Sequence, residues 1–328
     1  MAQGVGTHGR IAIVGAGMAG LSCADGLVAQ GHIVKLFDKA RGPGGRMSTR
    51  RIATPLGEAG FDHGAQYFTA RNADFRLVVS DWSDRGFACR WPVAGPDAWI
   101  GIPGMSAVIR DMADRHDTHY GRMVQGIARA DRGWRLIGDH IGPDPFDMIV
   151  VALPAEQAAT LLGPIDLGMA RQALMARSQP CWTAMFAFDS PLATDALILR
   201  NQGLIGWAAR NSAKPGRDGP EAWVVQATGS WSLDHMAAAP AQIEEIMLTA
   251  LGQALGLDLD RPIASAVHRW RYAMSAGSDE GALWNPDLGI GVCGDWLLGP
   301  RVECAWLSGR QLAKAMAPGK QAYPSEIR

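Results

Sequence analysis

The chain predicts an α/β fold in which one domain, assembled from separated segments, surrounds an α+β insert. Three observations predict it. A short apolar strand, Arg10 to Val14, runs directly into Gly15-x-Gly17-x-x-Gly20 and a helical stretch from Met18 to Gln30. A second strand, Ile33 to Phe37, follows Gly31 and ends in Asp38. From Leu288 the pattern of strand, Gly-Asp turn and helix returns, so the first domain is completed only after a long intervening segment.

The elements follow in order. Residues 10 to about 75 read as β-α-β, a glycine-rich loop and an irregular crossing, and Arg71 to about Arg90 reads as a helix, with Phe75, Val78, Val79 and Trp82 at spacings of three and four. Pro92 to Pro103, punctuated by Gly and Pro, is loop or a short strand pair. A helix over Met105 to Ala113 precedes a strand-rich segment, Thr118 to Leu136, and Phe146 to Pro154 is a buried strand of the parallel type. Trp182 to Phe188 and Ala222 to Thr228 alternate as strands, Ala241 to Leu255 is an amphipathic helix, and the last helix ends near Ala317. The expected division is a disordered tail over 1–9, a discontinuous nucleotide-binding domain over 10–75, 105–160 and 286–320, and a substrate domain over 76–104 and 161–285.

A length of 328 residues is enough for two domains with a substantial core. The net charge of -1 lacks the footprint of a nucleic-acid binder or of a protein drawn to a membrane surface. Five scattered cysteines without metal spacing suit a reducing compartment, and the polar, Gly-rich start lacks the apolar region of a signal peptide. No apolar run reaches membrane-spanning length. These points predict a cytoplasmic protein with no metal. Twelve tryptophans stand against four tyrosines. Most read as packing residues, with some free to stack on a planar ring.

The first glycine pattern is a dinucleotide turn. Gly15 allows the tight turn, Gly17 lets backbone approach a pyrophosphate, Gly20 permits close helix-strand packing, and the helix start offers free N–H groups. Asp38 stands near the spacing at which an acid meets a ribose hydroxyl. A further glycine pair, Gly44-Gly45-Arg46, suits a diphosphate clamped from two sides, with Arg46 neutralising charge. In Asp62-His63-Gly64-Ala65-Gln66-Tyr67, Gly64 and Ala65 allow close backbone approach while Gln66 and Tyr67 can face a ring system. Gly294-Asp295 aims a carboxylate at a sugar-chain or phosphate-side hydroxyl, and the helix from about Val302 turns its positive end toward the same place. Gly289-Ile-Gly291-Val-Cys-Gly294 repeats the glycine spacing with its strand inside the motif, so no second Rossmann unit is expected.

Taken together, Gly-Ala-Gly-Met-Ala-Gly, Asp38 with Gly44-Gly45-Arg46, Asp62-x-Gly64-Ala65-Gln66-Tyr67-Phe68, His268-Arg-Trp-Arg-Tyr272 and Cys293-Gly-Asp-Trp296 with Arg301-Val-Glu303 resemble the flavin-containing amine oxidase superfamily, and within it the bacterial renalase-like proteins. The resemblance covers nearly the whole chain. It implies non-covalent FAD, an FAD-binding Rossmann-like domain of the p-hydroxybenzoate hydroxylase type with an inserted α+β substrate domain, and oxidation of an isomeric dihydro-NAD(P). Hydride would pass to flavin N5 and then to O2, giving NAD(P)+ and H2O2. The implied cofactor residues are Gly15, Ala16, Met18, Ala19, Gly17 and Gly20 at the pyrophosphate, and Asp38 with Lys39 at the adenosine ribose. Gly45, Arg46 and Met47 would serve the diphosphate and ribityl side, and Val124 the adenine. Gly64, Ala65, Gln66 and Tyr67 would approach the ring, with Gly294, Asp295, Arg301, Val302 and Ala305 at the other end.

Hydride transfer needs the substrate carbon held about 3 to 3.5 Å from its acceptor and no obligatory base, because the donor ring becomes aromatic. Candidates for orienting that ring are Tyr67, Trp207, Arg210, Asn211, His268 and Trp270. His63 and Cys304 stand beside the flavin loops where smaller or apolar residues are expected, and Cys304 reads as a buried thiol rather than a redox group. Two other readings stay open. One is oxidation of an amine or small cyclic compound, for which no lysine can be placed near the ring; the other is a non-catalytic flavin-binding redox sensor.

Overall fold

The computed structural model describes residues 9–317. They form two units, one gathering the chain up to Pro43, Met112–Arg177 and the chain from Ala276 onward, the other Gly44–Asp111 and Ser178–Ser275.

The first unit is built on a six-stranded sheet in the order Leu283–Asn285, Ile290–Val292, Met148–Val151, Arg10–Val14, Ile33–Asp38, Asp117–Tyr120. Its strands run parallel except for the Leu283–Asn285 edge. Ile11, Ala12 and Ile13 at its centre are fully buried, as expected where both faces are covered. On one face the helices Met18–Ala29 and Val302–Ala315 meet at small residues: a Cβ added to Gly26 would lie 2.5 Å from Ala313 Cβ, and one added to Gly309 2.2 Å from the Ala19 carbonyl. Ser22 Oγ donates to the Trp306 carbonyl at 2.8 Å, fixing the register of that contact. A further core gathers Val151, Phe146 and Trp134 with Ala155, Leu162 and Ala173, residues of the helices Ala155–Leu162 and Leu167–Met175 or of strands beside them.

The second unit centres on an antiparallel sheet in the order Ile198–Gln202, Ile205–Arg210, Glu221–Ala227, Ser178–Phe188, Ala264–Ser275. The period-two alternation of its strands separates two cores. Trp182, Ala184, Phe186, Trp223 and Val225 pack with Ile243, Met247 and Leu251 of the helix Pro240–Leu255. Met185, Ala187, Ala222 and Val224 face the other way, onto Ala59 and Phe61. Those two residues belong to the hairpin Thr49–Thr54 and Gly57–Asp62.

The unit boundaries differ from those drawn on sequence. Residues 44–75 leave the nucleotide-binding unit because the hairpin buries Phe61 on the antiparallel sheet. Residues 161–177 join it because Ala173 and Leu162 complete its core. Gly9, expected in the tail, is buried, with its N–H donated to His32 Nδ1 at 3.2 Å; residues 1–8 of that tail and 318–320 of the last segment lie outside the described residues. The helix expected over Arg71 to Arg90 spans Ala73–Asp84, capped by Asn72. The chain then turns at Gly86, φ +79°, and Ala88–Arg90 forms a strand instead. Gly289 to Gly294 contains the Ile290–Val292 strand and opens only the three-residue 3-10 turn Asp295–Leu297, not an α-helix. Among the described residues no helix is long and apolar enough to cross a membrane.

Candidate active site

In the first unit the glycine turn has the geometry an anion needs. Gly15 has φ +105°, and a Cβ there would lie 2.4 Å from the Ala152 carbonyl. One on Gly20 would lie 2.0 Å from the Gly15 carbonyl, so both positions are closed to any side chain. Gly17 is different. It is the N-cap of the Met18–Ala29 helix, no side chain caps it, and a Cβ added there would meet open space. An uncapped helix start facing open space beside a bare backbone fits a pyrophosphate. Asp38 orders the rim of this turn, Oδ2 accepting from Ala16 N and Oδ1 from Ala40 N, each at 2.8 Å; Lys39 between them is exposed.

The other first-unit residues sit as follows. Val124 opens the Val124–Arg129 strand, partly buried against the core. Gly294 donates its N–H to Ser308 Oγ at 2.9 Å, and Asp295, 6% exposed, begins a short helical turn. Arg301 is the N-cap of the Val302–Ala315 helix and pairs with the buried Glu303 at 3.3 Å. Ala305 lies in the first turns of that helix beside Cys304. Burial pushes the Cys304 thiol up, away from the reactive thiolate.

In the second unit the two remaining glycine loops interlock. Gly45–Met47 is a short helical turn after Gly44, and Ala65 N donates to the Arg46 carbonyl at 2.8 Å. A Cβ on Gly64 would lie 2.1 Å from that same carbonyl, which is why this position is glycine. Arg46 donates to the Ala273 carbonyl at 3.3 Å.

Below these loops lies a buried charge cluster that sequence reasoning missed. Asp62 Oδ2 accepts from Arg217 Nη2 at 2.6 Å and Lys214 Nζ at 3.3 Å, with the side chains of Asp62 and Lys214 fully enclosed. Asp62 Oδ1 accepts from Thr49 Oγ1 at 2.8 Å and Met105 N at 2.9 Å. Lys214 also donates to the Gln66 carbonyl and Oε1, both at 3.1 Å. Burial alone would raise the Asp62 carboxyl, yet Lys214, Arg217 and the Met105 N–H hold it at about 2. Burial pulls Lys214 down to about 8 despite Asp62, since Arg217 shares the same carboxylate. Two cations on one anion favour the anion and not the second cation. In the sequence, Lys214-Pro-Gly reads only as a turn.

The cluster anchors a loop with aromatic groups at both ends. At one end Tyr67 and Trp207 lie with ring centroids 5.3 Å apart, and Trp91 is 6.5 Å from Tyr67. Trp207 Nε1 is buried without a hydrogen-bond partner among the described residues. At the other end His63 stacks on Trp270 at 5.2 Å and meets His268 edge-on at 5.2 Å, while Trp270 Nε1 donates to the His63 carbonyl at 2.8 Å. The candidates Arg210 and Asn211 join neither group. Arg210 pairs with Glu221 at 2.9 Å and donates to the Thr194 carbonyl, and Asn211, fully buried, bridges Asp62 N and the Gly60 carbonyl.

Burial, then His268 and Arg50, lowers His63 to about 4, and burial and Arg50 lower His268. Both rings are therefore neutral near pH 7. The unfolded chain protonates His63 near its ordinary value, whereas the folded protein resists until about pH 4. Stability is full above about pH 6.5 and falls as pH drops toward 4. The unfolding midpoint is expected to decline between pH 7 and 4.5, and His63→Gln to flatten that decline. Equal slopes in both proteins would remove His63 as its source.

Residues 13–82 match the NAD(P)-binding Rossmann-like domain, and residues 87–317 match the flavin containing amine oxidoreductase family. Renalase from Mus musculus is 24% identical over 298 residues, covering 82% of this chain and 86% of that protein. A putative protoporphyrinogen oxidase from Exiguobacterium sp. 255-15 superimposes with a TM-score of 0.73 at 12% identity, over 94% of this chain and 98% of that one. Cyclohexylamine oxidase from Brevibacterium oxydans IH-35A gives 0.69 at 15% identity, over 94% and 99%.

Proposed function

The chain belongs to the flavin containing amine oxidoreductase family, and from that premise we propose that this FAD-dependent oxidoreductase takes a hydride from an isomeric dihydro-NAD(P) and delivers the electrons to O2. The likeness to renalase supports that substrate class. When bound, FAD supplies the two-electron acceptor and the route to dioxygen, yielding H2O2 with one further proton. The uncapped turn at Gly17 would hold its pyrophosphate, with Asp38 and Lys39 on the adenosine side. Gly45, Arg46 and Met47, the Gly64–Tyr67 loop, Val124 and the Gly294-Asp295 segment with Arg301, Val302 and Ala305 are the further contacts proposed, without a covalent link.

One observation carries the substrate reading: the buried, unpaired Nε1–H of Trp207 beside the Tyr67 ring. A buried donor left unmade costs about 1–3 kcal/mol, so a ligand that brings an acceptor is favoured there. A nicotinamide brings a flat ring for Tyr67 and a carboxamide oxygen for Trp207. An ammonium group is a donor itself and leaves Trp207 unpaired. The rest of the chemistry asks little of the protein. The dihydropyridine ring becomes aromatic as hydride leaves, so no side chain has to remove a proton, and the neutral His63 and His268 are consistent with that. Lys214 is engaged by Asp62 and Gln66.

Anaerobic titration of the FAD-loaded protein tests the reading. Isomeric dihydro-NAD(P) is expected to bleach the flavin stoichiometrically, and admission of air to restore it with release of H2O2. Absence of bleaching sinks the proposal, and bleaching by primary amines instead supports oxidation of an amine.

A further inference from the structure

The hairpin register places a set of nitrogen-bearing side chains on one face of the second unit. Thr49 pairs with Asp62 and Arg50 with Phe61. Directly opposed residues share a face, so Thr49 and Asp62 point one way, as their 2.8 Å hydrogen bond shows. Arg50 and Phe61 point the other way. His63, two residues beyond Phe61, continues that second face, and Ser48 Oγ lies 3.4 Å from His63 Nε2. On the antiparallel sheet His268 pairs with Thr183 and Trp270 with Cys181. Thr183 alternates with Met185 and Ala187, whose side is the one covered by the hairpin. His268 and Trp270 thus come from the sheet, and Arg50, Ser48 and His63 from the hairpin, to one corner.

The charge balance of this corner is unusual. Arg50 is exposed and makes no hydrogen bond or ion pair among the described residues. The neighbouring carboxylate, Asp62, faces away and is enclosed with Thr49, Met105, Lys214 and Arg217. A guanidinium without a counter-ion therefore stands beside two imidazoles and an indole.

Building on the dihydronicotinamide reading above, we propose that Arg50 and His268, beside His63 and Trp270, form a subsite for the phosphate of the nucleotide substrate. The guanidinium supplies a forked pair of donors suited to phosphate oxygens. His268 offers one imidazole N–H, whereas His63, with Nδ1 enclosed and Nε2 3.4 Å from Ser48 Oγ, packs beside the site. Arg50 then selects phosphate-bearing nicotinamide compounds over the phosphate-free nucleoside.

The test uses FAD-loaded protein, Arg50→Gln, and Arg51→Gln as a charge-matched control; Arg51, next to Arg50 in the same strand, pairs with Glu58 of the facing strand at 3.2 Å. Calorimetric titration compares nicotinamide mononucleotide with nicotinamide riboside, which lacks the phosphate. Arg50→Gln is expected to weaken mononucleotide binding by about tenfold or more, as loss of a charge-assisted hydrogen bond does. Riboside binding and Arg51→Gln should match the parent. Equal losses for both ligands, no loss for the mononucleotide, or no mononucleotide binding by the parent would overturn the subsite. A fall in FAD affinity of Arg50→Gln with unchanged ligand binding would overturn it too, assigning the arginine to the cofactor's phosphates. Anaerobic reduction by the two dihydro forms separates this from the parent reading: no bleaching by either defeats the function, whereas bleaching by both with equal saturation, unaltered by Arg50→Gln, defeats only the subsite.

Discussion

Asp62→Asn is expected to destabilise the protein by about 3–5 kcal/mol, the scale for stripping one partner from a buried ion pair. The substitution keeps the shape of the side chain and removes the single anion shared by Lys214 and Arg217. Two enclosed cations then face each other across a neutral amide. Lys214→Met should cost much less, about 1–3 kcal/mol. It leaves Asp62 and Arg217 as a balanced pair and forfeits the Lys214 bonds to Asp62 and to the Gln66 carbonyl and amide oxygen. Urea unfolding of both variants checks the order, and a larger loss for Lys214→Met would contradict the charge argument. The same cluster sets the far acid limb. Asp62 is held at about 2 in the folded protein against an ordinary value of 3.8, so its stabilisation is complete above the ordinary value and is lost as pH falls through about 2.

Gly17→Val is expected to abolish or severely weaken FAD binding, by about two orders of magnitude or roughly 2.7 kcal/mol, while leaving the apoprotein's stability within about 0.5 kcal/mol. The backbone there has φ -87°, which any residue adopts, and the new side chain enters open space. The only thing it obstructs is what would occupy that space. Gly20→Ala should behave in the opposite way: its Cβ would lie 2.0 Å from the Gly15 carbonyl, so the strand-turn-helix packing gives way before any ligand is involved. Flavin absorbance after gel filtration, paired with thermal unfolding of the apoproteins, separates the two. Retention of FAD by Gly17→Val would remove Gly17 from the proposed pyrophosphate site.

The parts of this molecule legible in sequence are those encoded locally. Gly15, Gly17, Gly20 and Asp38 lie within one β-α-β unit, where spacing alone fixes their relation; Asp38 accepts from the backbone N–H of Ala16 there. Alternation likewise separates Trp182 and Phe186 from Met185 and Ala187. What spacing cannot encode is partnership across distant segments. Lys214 reaches Asp62 from 152 positions away, and its Lys-Pro-Gly setting describes only the local turn. Arg210 and Asn211 show the converse case. A polar pair next to an aromatic strand suggests a ligand, but Glu221 and the Asp62 backbone engage them first. The compact units part at Gly44 and not at residue 75 for a related reason: the glycine loops look continuous with the nucleotide motif, while burial of Phe61 is decided by the distant sheet.

The meeting of Met18–Ala29 with Val302–Ala315 also constrains the order in which the chain can mature during synthesis. The first helix emerges early, yet its Gly26 face and Ser22 hydroxyl wait for Ala313 and Trp306. The central Arg10–Val14 strand similarly waits for Met148–Val151, which in turn waits for Ile290–Val292. Such long-range pairings slow folding and leave strand edges exposed to wrong partners. A nascent chain arrested before Ile290 therefore carries the dinucleotide turn without the helix that packs on it and with one edge of Met148–Val151 unpaired, and chaperone occupancy should persist until the last helix has left the ribosome.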